Sequence, residues 1–246
     1  MAALTPHCDL TTEDVLHKAP LTGHRDQTAD GPAAHAVNPQ PVTTVITASG
    51  NKPFDCILPR IFLSSHTQAK DADLIRRHKI THVLVCGPDY ELSTPFVRGT
   101  FECEAHQLEL QYTRLPFEDD DCEDILSHIP AALDLVDSVL AQAGTNILVH
   151  CRAGVSRSAS ICCAIVARDR KLSAESAIAH VKARRSCVCP NAGFREQLGD
   201  FVAMQWTVDR ASDTWHAHVK RLEARRIEEE WAPNMFAPQS NKSASE

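Results

Sequence analysis

The chain has 246 residues, 43% of them hydrophobic and 23% charged, and its formal net charge is −7. This hydrophobic fraction suffices for a packed core, which excludes a wholly disordered chain. The negative charge argues against a nucleic-acid-binding protein, because such proteins carry a basic stripe. The longest apolar run, at residues 161–167, is far shorter than the roughly 18 residues of a membrane span. We therefore expect no membrane span and no nucleic-acid partner.

Ten cysteines and the N-terminal sequence together predict the cellular compartment. The first residues contain no basic segment followed by an apolar stretch, so we expect no signal peptide. Without a secretory signal, the cysteines are expected to be reduced thiols rather than a disulfide scaffold. The sequence predicts a cytoplasmic location, with the nucleus as a second compartment.

Composition and hydrophobic spacing divide the chain into three segments. Residues 1–53 contain six prolines and no Phe, Trp or Tyr, which predicts a disordered extension. Residues 54–205 alternate short apolar strands with helices, which predicts a layered α/β domain. Residues 206–246 predict a helical extension followed by a loose tail. This last helix either packs on the domain or offers a site for a protein partner.

The elements predicted inside these segments follow in chain order. Extended, β-rich runs predict strands at 57–63, 80–85, 101–105, 110–117 and 147–149. Helical spacing and capping residues predict helices at 69–78, 125–140, 156–168, from 173 onward, and 194–205. A further helix is predicted in the extension, with one face made of Trp215, Val219, Leu222 and Arg226.

Residues 150–158, with the sequence HCRAGVSRS, lie between a predicted strand and a predicted helix. Backbone N–H groups at the start of a helix, together with the helix dipole, attract an anion. Gly154 lets the backbone turn tightly, and the planar guanidinium of Arg157 can bind two oxygens of a phosphate. The segment therefore predicts a cradle for a tetrahedral dianion.

Cys151 lies at the floor of this predicted cradle. The helix dipole, the loop amides and Arg157 favour its thiolate form, and a thiolate beneath a phosphoryl group is a nucleophile in line for attack. Ser158 can hydrogen-bond the sulfur and help it leave in a second step. A lone buried cysteine is ordinarily structural, but Gly, Arg and Ser at this spacing favour catalysis. His150 either orients the loop or is simply a packed histidine.

These nine residues meet the signature HCxxGxxR[ST], and the chain resembles the cysteine-dependent protein phosphatases, in particular their dual-specificity subgroup. Residues 58–64, 80–84 and 190–194 are similar to that family's opening strand, second strand and last core helix. The resemblance covers roughly residues 54–205 and implies an α/β catalytic domain with a central mixed sheet of about five strands flanked by helices. It also implies a phosphate-binding loop between a strand and a helix.

The resemblance implies the chemistry as well. It implies hydrolysis of phosphotyrosine and phosphoserine/phosphothreonine through a cysteinyl-phosphate intermediate on Cys151, with no metal and no cofactor. Phosphoproteins are the implied substrates, with protein kinases among the candidates. Phosphate binding is implied for the loop residues Arg152, Ala153, Gly154, Val155, Ser156 and Arg157.

Cleavage of a phosphate ester needs a proton for the leaving oxygen and later a base to activate water. Six of the seven residues at 118–124 are acidic, and most of these carboxylates are expected to be merely solvated. The family places its general acid shortly after a strand of the kind predicted at 110–117. That position implies Asp119, with Asp120 and Asp121 as the second and third choices.

The loop sequence and the size of the domain bear on the substrate. Phosphoinositide phosphatases of this superfamily carry lysines in the loop, whereas positions 153–156 are Ala, Gly, Val and Ser. We find no aromatic-bearing insertion of the kind that deepens a phosphotyrosine-only pocket, so a shallow cleft is expected to admit phosphoserine and phosphothreonine as well. We expect too few residues before the domain for a kinase-docking domain, so the protein resembles an atypical, stand-alone member.

Other functions stay open. One is a phosphatase of phosphoinositides or of another non-protein phosphomonoester. A second is a phospho-binding pseudophosphatase, although such proteins usually lack the Cys, the Arg or the acid. Sulfurtransferase-like proteins also use a Cys-loop-Arg cradle, but the positions of Asp119 and of residues 190–191 fit the dual-specificity layout better.

Further cysteine patterns carry two predictions. Cys86 directly follows a predicted strand, where some relatives carry a thiol that reaches the nucleophile, which implies a reversible Cys86–Cys151 disulfide. Cys103 is a weaker alternative partner. Cys187 and Cys189 form a Cys-x-Cys pair, but a zinc site needs two further ligands at suitable spacing. We therefore expect no structural metal.

Overall fold

The structure is a computed structural model that describes residues 52–92 and 110–235, all of which belong to one compact unit. The predictions for residues 1–51, the strand at 101–105, Cys103 and residues 236–246 lie outside the described residues.

A five-stranded mixed sheet forms the centre of the domain, which confirms the predicted fold class. Its strands are Asp55–Leu58 (β1), Ile61–Ser65 (β2), His82–Cys86 (β3), Gln111–Leu115 (β4) and Ile147–Cys151 (β5). They lie in the order β1-β2-β5-β3-β4, with β1 antiparallel to β2 and the other neighbours parallel. The carboxyl ends of the four parallel strands therefore meet at one edge, which is where ligands bind in open α/β sheets.

The strand predicted at 57–63 is in fact a hairpin. A turn at Pro59 and Arg60 joins β1 to β2. Proline presets the φ that the first central residue of such a turn requires, and Arg60 adopts a left-handed φ of 70°. The Arg60 guanidinium offsets this strain by donating hydrogen bonds to the carbonyl oxygens of Leu140 (2.8 Å) and Thr145 (2.7 Å). Pro59 signals this turn in the sequence. The strand-like residues on both sides of it led instead to the prediction of one continuous strand.

Helices flank the sheet. In the described residues they are His66–Ala69 (α1), Ala72–Arg77 (α2), Ile129–Leu140 (α3), Arg157–Arg170 (α4), Ala174–Lys182 (α5), Ala192–Ala203 (α6) and Asp213–Met235 (α7). The helix predicted at 69–78 is divided, because the Asp71 carboxylate caps a new helix by accepting two backbone N–H groups. The helix predicted from residue 173 begins as expected, with the Ser173 hydroxyl accepting the Ser176 N–H.

The two central strands β3 and β5 are buried on both faces. Leu84 and Val149 face a large apolar cluster that includes residues of α3 to α6, whereas Val83 and Leu148 face a smaller cluster with α2. The first eleven residues of α4 are all buried. Because β5 ends at Cys151 and α4 starts at Arg157, the short connection between them is flanked by a buried element on each side.

The extension after residue 205 packs on the domain. Trp206 and Trp215 contact the large cluster, and Leu222 is buried. The Trp206 indole N–H also donates a hydrogen bond to the Leu172 carbonyl oxygen (3.0 Å). The predicted helix had two alternatives, packing on the domain or offering a site for a protein partner. The first half of α7 packs on the domain. Within the described ranges no helix is both long enough and apolar enough to cross a bilayer.

Candidate active site

We call residues 151–157, which join β5 to α4, the phosphate loop. Gly154 has a φ of 69°, and a Cβ atom there would lie 2.5 Å from the Ser64 carbonyl oxygen, so glycine is required. The Gly154 N–H donates a hydrogen bond to Cys151 Sγ (3.2 Å), and the Ser158 hydroxyl donates another (3.1 Å). Cys151 is 2% exposed. Two donors thus stabilise negative charge on a sulfur atom that is almost completely buried.

The carbonyl oxygens of residues 152–155 each accept a hydrogen bond from the surrounding scaffold. Arg185 donates to the second and third of them (2.9 Å each), and the N–H groups of His66 and Cys189 donate to the first (3.1 Å) and the last (2.9 Å). Arg185 is itself held by the Asp55 carboxylate (2.7 Å). Because the scaffold binds the carbonyl side of the loop, the N–H side is left for an anion, as in a backbone nest.

Arg157 is the buried cation of the site, at 3% exposure. Its Nη1 and Nη2 donate to the two carboxylate oxygens of Glu91 (2.5 and 2.8 Å). This bidentate pair compensates a buried charge that would otherwise be very costly. The Arg157 Nε has no hydrogen-bond partner among the described residues and lies 3.9 Å from Asp119 Oδ2. Arg157 therefore keeps one buried donor for a ligand.

Sequence reasoning missed Glu91 and Arg185. Neither belongs to a recognisable local pattern, and each meets the phosphate loop only through the fold. Glu91 follows β3, which runs parallel to β5, and so lies at the same edge of the sheet as the loop. That topological rule was the one available signal for Glu91.

The acid loop, residues 118–124, brings Asp119 onto the phosphate loop. Asp119 Oδ1 accepts hydrogen bonds from the Ser156 hydroxyl (2.6 Å) and from Asn191 Nδ2 (3.1 Å). It follows β4, the strand next to β3, so its position also depends on the shared carboxyl edge of the sheet. Asp119 is thus within reach of an oxygen on a phosphoryl group bound over Cys151.

The neighbouring aspartates bind the backbone around them. Asp120 Oδ1 accepts the Cys122 N–H (2.7 Å), and Asp121 Oδ1 accepts the Gly193 N–H at the start of α6 (3.3 Å). Of the three candidate acids, Asp119 accepts a hydrogen bond from the phosphate loop, through the Ser156 hydroxyl. This geometry supports the first of the three choices.

A cleft of about 600 Å³ lies over the phosphate loop. It brings together the predicted Cys151, Asp119 and Arg157 with most of the predicted binding loop. The exposed Tyr90, which the sequence analysis did not single out, forms part of its wall. The cleft is lined by Tyr90, Glu91, Glu118, Asp119, Asp120, Cys151, Arg152, Ala153, Val155, Ser156 and Arg157.

Cys86 ends β3 beside Cys151. Val85 pairs with His150, so Cys86 lies next to Cys151 across the two strands. It is fully buried, and burial, followed by the negative charge of Cys151, raises the pKa of Cys86 well above its usual value. Cys162 of α4 is another buried thiol, and burial together with Cys163 and Cys151 raises its pKa too. Both thiols are protonated at neutral pH, and both lie close enough to Cys151 for its negative charge to contribute to their raised pKa.

His150 is buried before the nucleophile. Burial lowers the pKa of His150 to about 3, so its ring is neutral at physiological pH. Its ring packs 5.5 Å from that of His66, whose backbone N–H supports the phosphate loop. The structure thus shows a packed histidine, which is the second of the two roles considered for this residue.

One group of potential metal ligands occurs in the described part of the chain. Asp120, Cys122 and Glu229 have ligand atoms within 4.8 Å of one another, but both carboxylates are exposed. Exposed acidic groups commonly meet without a metal. Cys187 and Cys189 are not part of this group.

Comparisons with known proteins agree with this geometry. The family model "Dual specificity phosphatase, catalytic domain" matches residues 61–204. Rat dual specificity protein phosphatase 5 is 37% identical over 143 residues, which are 58% of this chain and 34% of that protein. The human serine/threonine/tyrosine-interacting protein is 33% identical over 150 residues, 60% of this chain and 64% of that protein. The match thus spans about a third of the length of the first curated relatives.

Solved structures show the same fold. The crystal structure of the human tyrosine phosphatase-like serine/threonine/tyrosine-interacting protein superimposes with a TM-score of 0.55 at 30% identity, covering 63% of this chain and 99% of that one. The structure of DUSP15 gives a TM-score of 0.55 at 28% identity, covering 70% of this chain and 96% of that one. Since the family model covers more than half of the chain and the phosphate loop carries the family signature, this protein belongs to the dual-specificity phosphatases.

Proposed function

We propose that this protein hydrolyses phosphotyrosine and phosphoserine/phosphothreonine esters of phosphoproteins through a cysteinyl-phosphate intermediate, with its catalytic domain at residues 54–205. The observation that carries the proposal is the buried Nε of Arg157, which lacks a partner among the described residues. A buried cationic donor without an acceptor is unfavourable. A phosphoryl oxygen bound above Cys151 would supply that acceptor.

The first step forms the intermediate. Cys151 Sγ attacks phosphorus, the bond between phosphorus and the ester oxygen breaks, and protonated Asp119 gives its proton to that oxygen. Arg157 and the N–H groups of the phosphate loop bind the remaining phosphoryl oxygens. Because the loop carbonyls are bound on the outer side, they do not repel the dianion.

The second step regenerates the enzyme. Water attacks the phosphorus of the cysteinyl phosphate, the Asp119 carboxylate accepts a proton from that water, and the sulfur–phosphorus bond breaks to release inorganic phosphate. The Ser158 hydroxyl, 3.1 Å from the sulfur, stabilises the departing thiolate. Each proton and electron pair is handled by side chains of the site, so the mechanism proposes no metal or cofactor.

The cellular setting proposed for this chemistry is a reducing one. The eight cysteines in the described residues are all free thiols. A nucleophilic thiolate needs protection from oxidation, which the cytoplasm and the nucleus provide.

Phosphate release from defined substrates tests the proposed function. We expect the purified protein to release phosphate from peptides carrying phosphotyrosine and from those carrying phosphoserine or phosphothreonine. Acid quenching during turnover, followed by peptide mass spectrometry, is expected to find phosphate on Cys151. Release from phosphoinositide vesicles alone would favour the lipid-phosphatase alternative, and phosphopeptide binding without release would favour a pseudophosphatase.

Tyr90 is predicted to favour aryl over alkyl phosphate esters. Its ring lies in the cleft wall and is exposed, so it is free to stack on the ring of a phosphotyrosine. Aromatic pairs contribute about 0.5–1.5 kcal/mol, so Tyr90→Ala is expected to lower kcat/KM for a phosphotyrosine peptide about two- to tenfold. The same change leaves kcat/KM for a phosphoserine peptide nearly constant.

Tyr90→Phe is the matched control for this prediction, because it keeps the ring and removes the hydroxyl group. It is expected to retain the wild-type preference between the two peptides. An equal loss on both peptides in Tyr90→Ala would contradict a stacking role.

Cys86 is predicted to protect the nucleophile from irreversible oxidation. Hydrogen peroxide converts the Cys151 thiolate to a sulfenic acid, and attack by the Cys86 sulfur then forms a disulfide with loss of water. Cys86 is buried and ends the strand next to the one that ends at Cys151, which makes it our proposed partner. After mild peroxide, non-reducing peptide mapping is expected to find the Cys86–Cys151 disulfide, and dithiothreitol is expected to restore activity.

Two variants sharpen the oxidation experiment. Cys86→Ser is expected to lose activity that dithiothreitol does not restore, whereas Cys163→Ser, at a second buried cysteine, is expected to recover like the wild type. A sulfinic acid on Cys151 with Cys86 still free in the wild-type protein would refute this role, as would a disulfide between Cys151 and Cys162.

A further inference from the structure

Helix α7 lies outside the matched catalytic domain, yet it contacts the acid loop. The Arg225 guanidinium donates to the Asp121 carbonyl oxygen (3.4 Å), and the Arg226 guanidinium donates to that of Cys122 (3.3 Å). The Cys122 thiol is hydrogen-bonded to the Glu229 carboxylate. Three side chains from two successive turns of α7 thus join this helix to the loop that carries the general acid.

A fourth contact fastens the end of the acid loop. His218 of α7 is 1% exposed, and its Nε2 lies 3.1 Å from Asp124 Oδ1. Burial opposes ionisation of Asp124, but hydrogen bonds from His218 and Ser127 outweigh it and lower the pKa of Asp124 to about 2. The contact with His218 therefore holds an ionised Asp124 carboxylate in place over the physiological pH range.

Helix α7 can restrain the loop because it is anchored elsewhere. Arg221 forms ion pairs with Glu196 (2.6 Å) and Asp200 (2.5 Å) of α6, and Arg225 also pairs with Glu196. Leu222 is buried beneath them. Arg221 and Leu222 thus bind the helix to the rest of the domain, while Arg225 contacts both α6 and the acid loop.

The acid loop needs such restraint. It has no regular secondary structure beyond a turn, and its carboxylates repel one another. On the other side it presses on α6 so closely that a Cβ atom at Gly193 would collide with the Asp121 carbonyl group. Asp121 is two residues from Asp119, so a shift of the loop at Asp121 displaces the general acid.

From these contacts we propose that Arg225 and Arg226 are positioning residues for the general acid Asp119, so that α7 is part of the working catalytic unit. This proposal rests on the proposed function above. A small misplacement of a catalytic group costs a large part of its effect. The effect is confined to the two proton transfers that Asp119 performs, and kcat/KM reports the first of them, protonation of the leaving oxygen.

The leaving group of the substrate provides the readout. A strongly acidic phenol such as para-nitrophenol leaves with little help from an acid, whereas unsubstituted phenol needs a proton. For Arg225→Gln/Arg226→Gln, we expect kcat/KM for phenyl phosphate to fall about five- to tenfold, with kcat/KM for para-nitrophenyl phosphate nearly unchanged. In an Asp119→Asn background the same double change is expected to cause no further loss.

Matched variants separate positioning from general stability. Lys220→Gln removes one positive charge from an exposed position of α7 and is expected to leave activity on both substrates unaffected. Arg225→Lys/Arg226→Lys keeps the positive charges and is expected to recover part of the phenyl phosphate activity. Hydrogen–deuterium exchange is expected to rise in residues 118–124 of the Gln variant and to stay constant in the phosphate loop.

The outcomes distinguish this inference from the proposed function. An equal loss on both substrates, a further loss in the Asp119→Asn background, or unchanged exchange in the acid loop would overturn the positioning role while leaving the phosphatase intact. A wild-type protein that releases no phosphate from either substrate would overturn the proposed function, and the catalytic role of α7 with it.

Discussion

Cys151→Ser is expected to lower kcat/KM for phosphopeptides and aryl phosphates at least about 10⁴-fold, because a serine hydroxyl in this loop is a far weaker nucleophile than a thiolate. The two hydrogen bonds to Sγ, from the Gly154 N–H and the Ser158 hydroxyl, stabilise an anion on sulfur and cannot deprotonate an alcohol. The rest of the cradle stays intact in this variant. The rate of phosphate release, assayed with one substrate at a time, measures this loss of kcat/KM directly.

The same variant is expected to bind phosphopeptides without turning them over. Arg157, held by Glu91, and the inward N–H groups of the loop supply the binding, and neither depends on the sulfur. Calorimetry with a phosphotyrosine peptide checks this. Cys163→Ser is the control for replacing a buried cysteine, because its hydroxyl can bond the preceding helical turn and the residue lies away from the cleft. Turnover retained by Cys151→Ser, or lost by Cys163→Ser, would contradict the assignment of the nucleophile.

Asp119→Asn is expected to lower kcat/KM for phenyl phosphate about 10²- to 10³-fold, since general acid catalysis contributes about 10²–10⁴ to such reactions. For para-nitrophenyl phosphate the loss is expected to be much smaller, because its leaving group needs little protonation. Asparagine keeps the contacts to Ser156 and Asn191 available through its amide oxygen while removing the transferable proton. The ratio of the two substrates therefore isolates the chemical role from any change of shape.

Asp120→Asn and Asp121→Asn test the same prediction from the other direction. Both carboxylates accept backbone N–H groups, of Cys122 and Gly193, so their replacement removes negative charge without touching the phosphate loop. We expect less than about a threefold change in the substrate ratio for either variant, as for charge changes outside the reacting centre. A large change in the ratio for Asp120→Asn or Asp121→Asn, with a small one for Asp119→Asn, would assign the acid to another carboxylate.

The local part of the site was readable from the sequence because its parts lie within eight residues. Cys151, Gly154, Arg157 and Ser158 act at fixed spacing across one strand-to-helix connection, and the apolar runs on either side predict that connection. A loop of this kind has few conformations once Gly154 takes a positive φ. The layered α/β organisation and most of the helices followed from hydrophobic spacing for the same local reason, whereas the mixed sheet was implied by the family resemblance.

Contacts between distant segments required the fold. Glu91, Asp119 and Asn191 converge on the phosphate loop from three separate parts of the chain, because the parallel strands end at one edge of the sheet and α6 begins beside it. Adjacent aspartates in a loop have no period that tells which one points inward. Packing against Ser156 and Gly193 makes that choice.

The sequence by itself therefore predicted the reaction class and the nucleophile that we propose, since both predictions depend on short-range spacing within residues 150–158. Tertiary structure alone decided which carboxylate meets the phosphate loop, which partner neutralises Arg157, and that α7 reaches the acid loop. The physical reason is that hydrogen bonds and ion pairs between remote segments depend on how strands and helices pack, and a single sequence records that packing only through its local patterns.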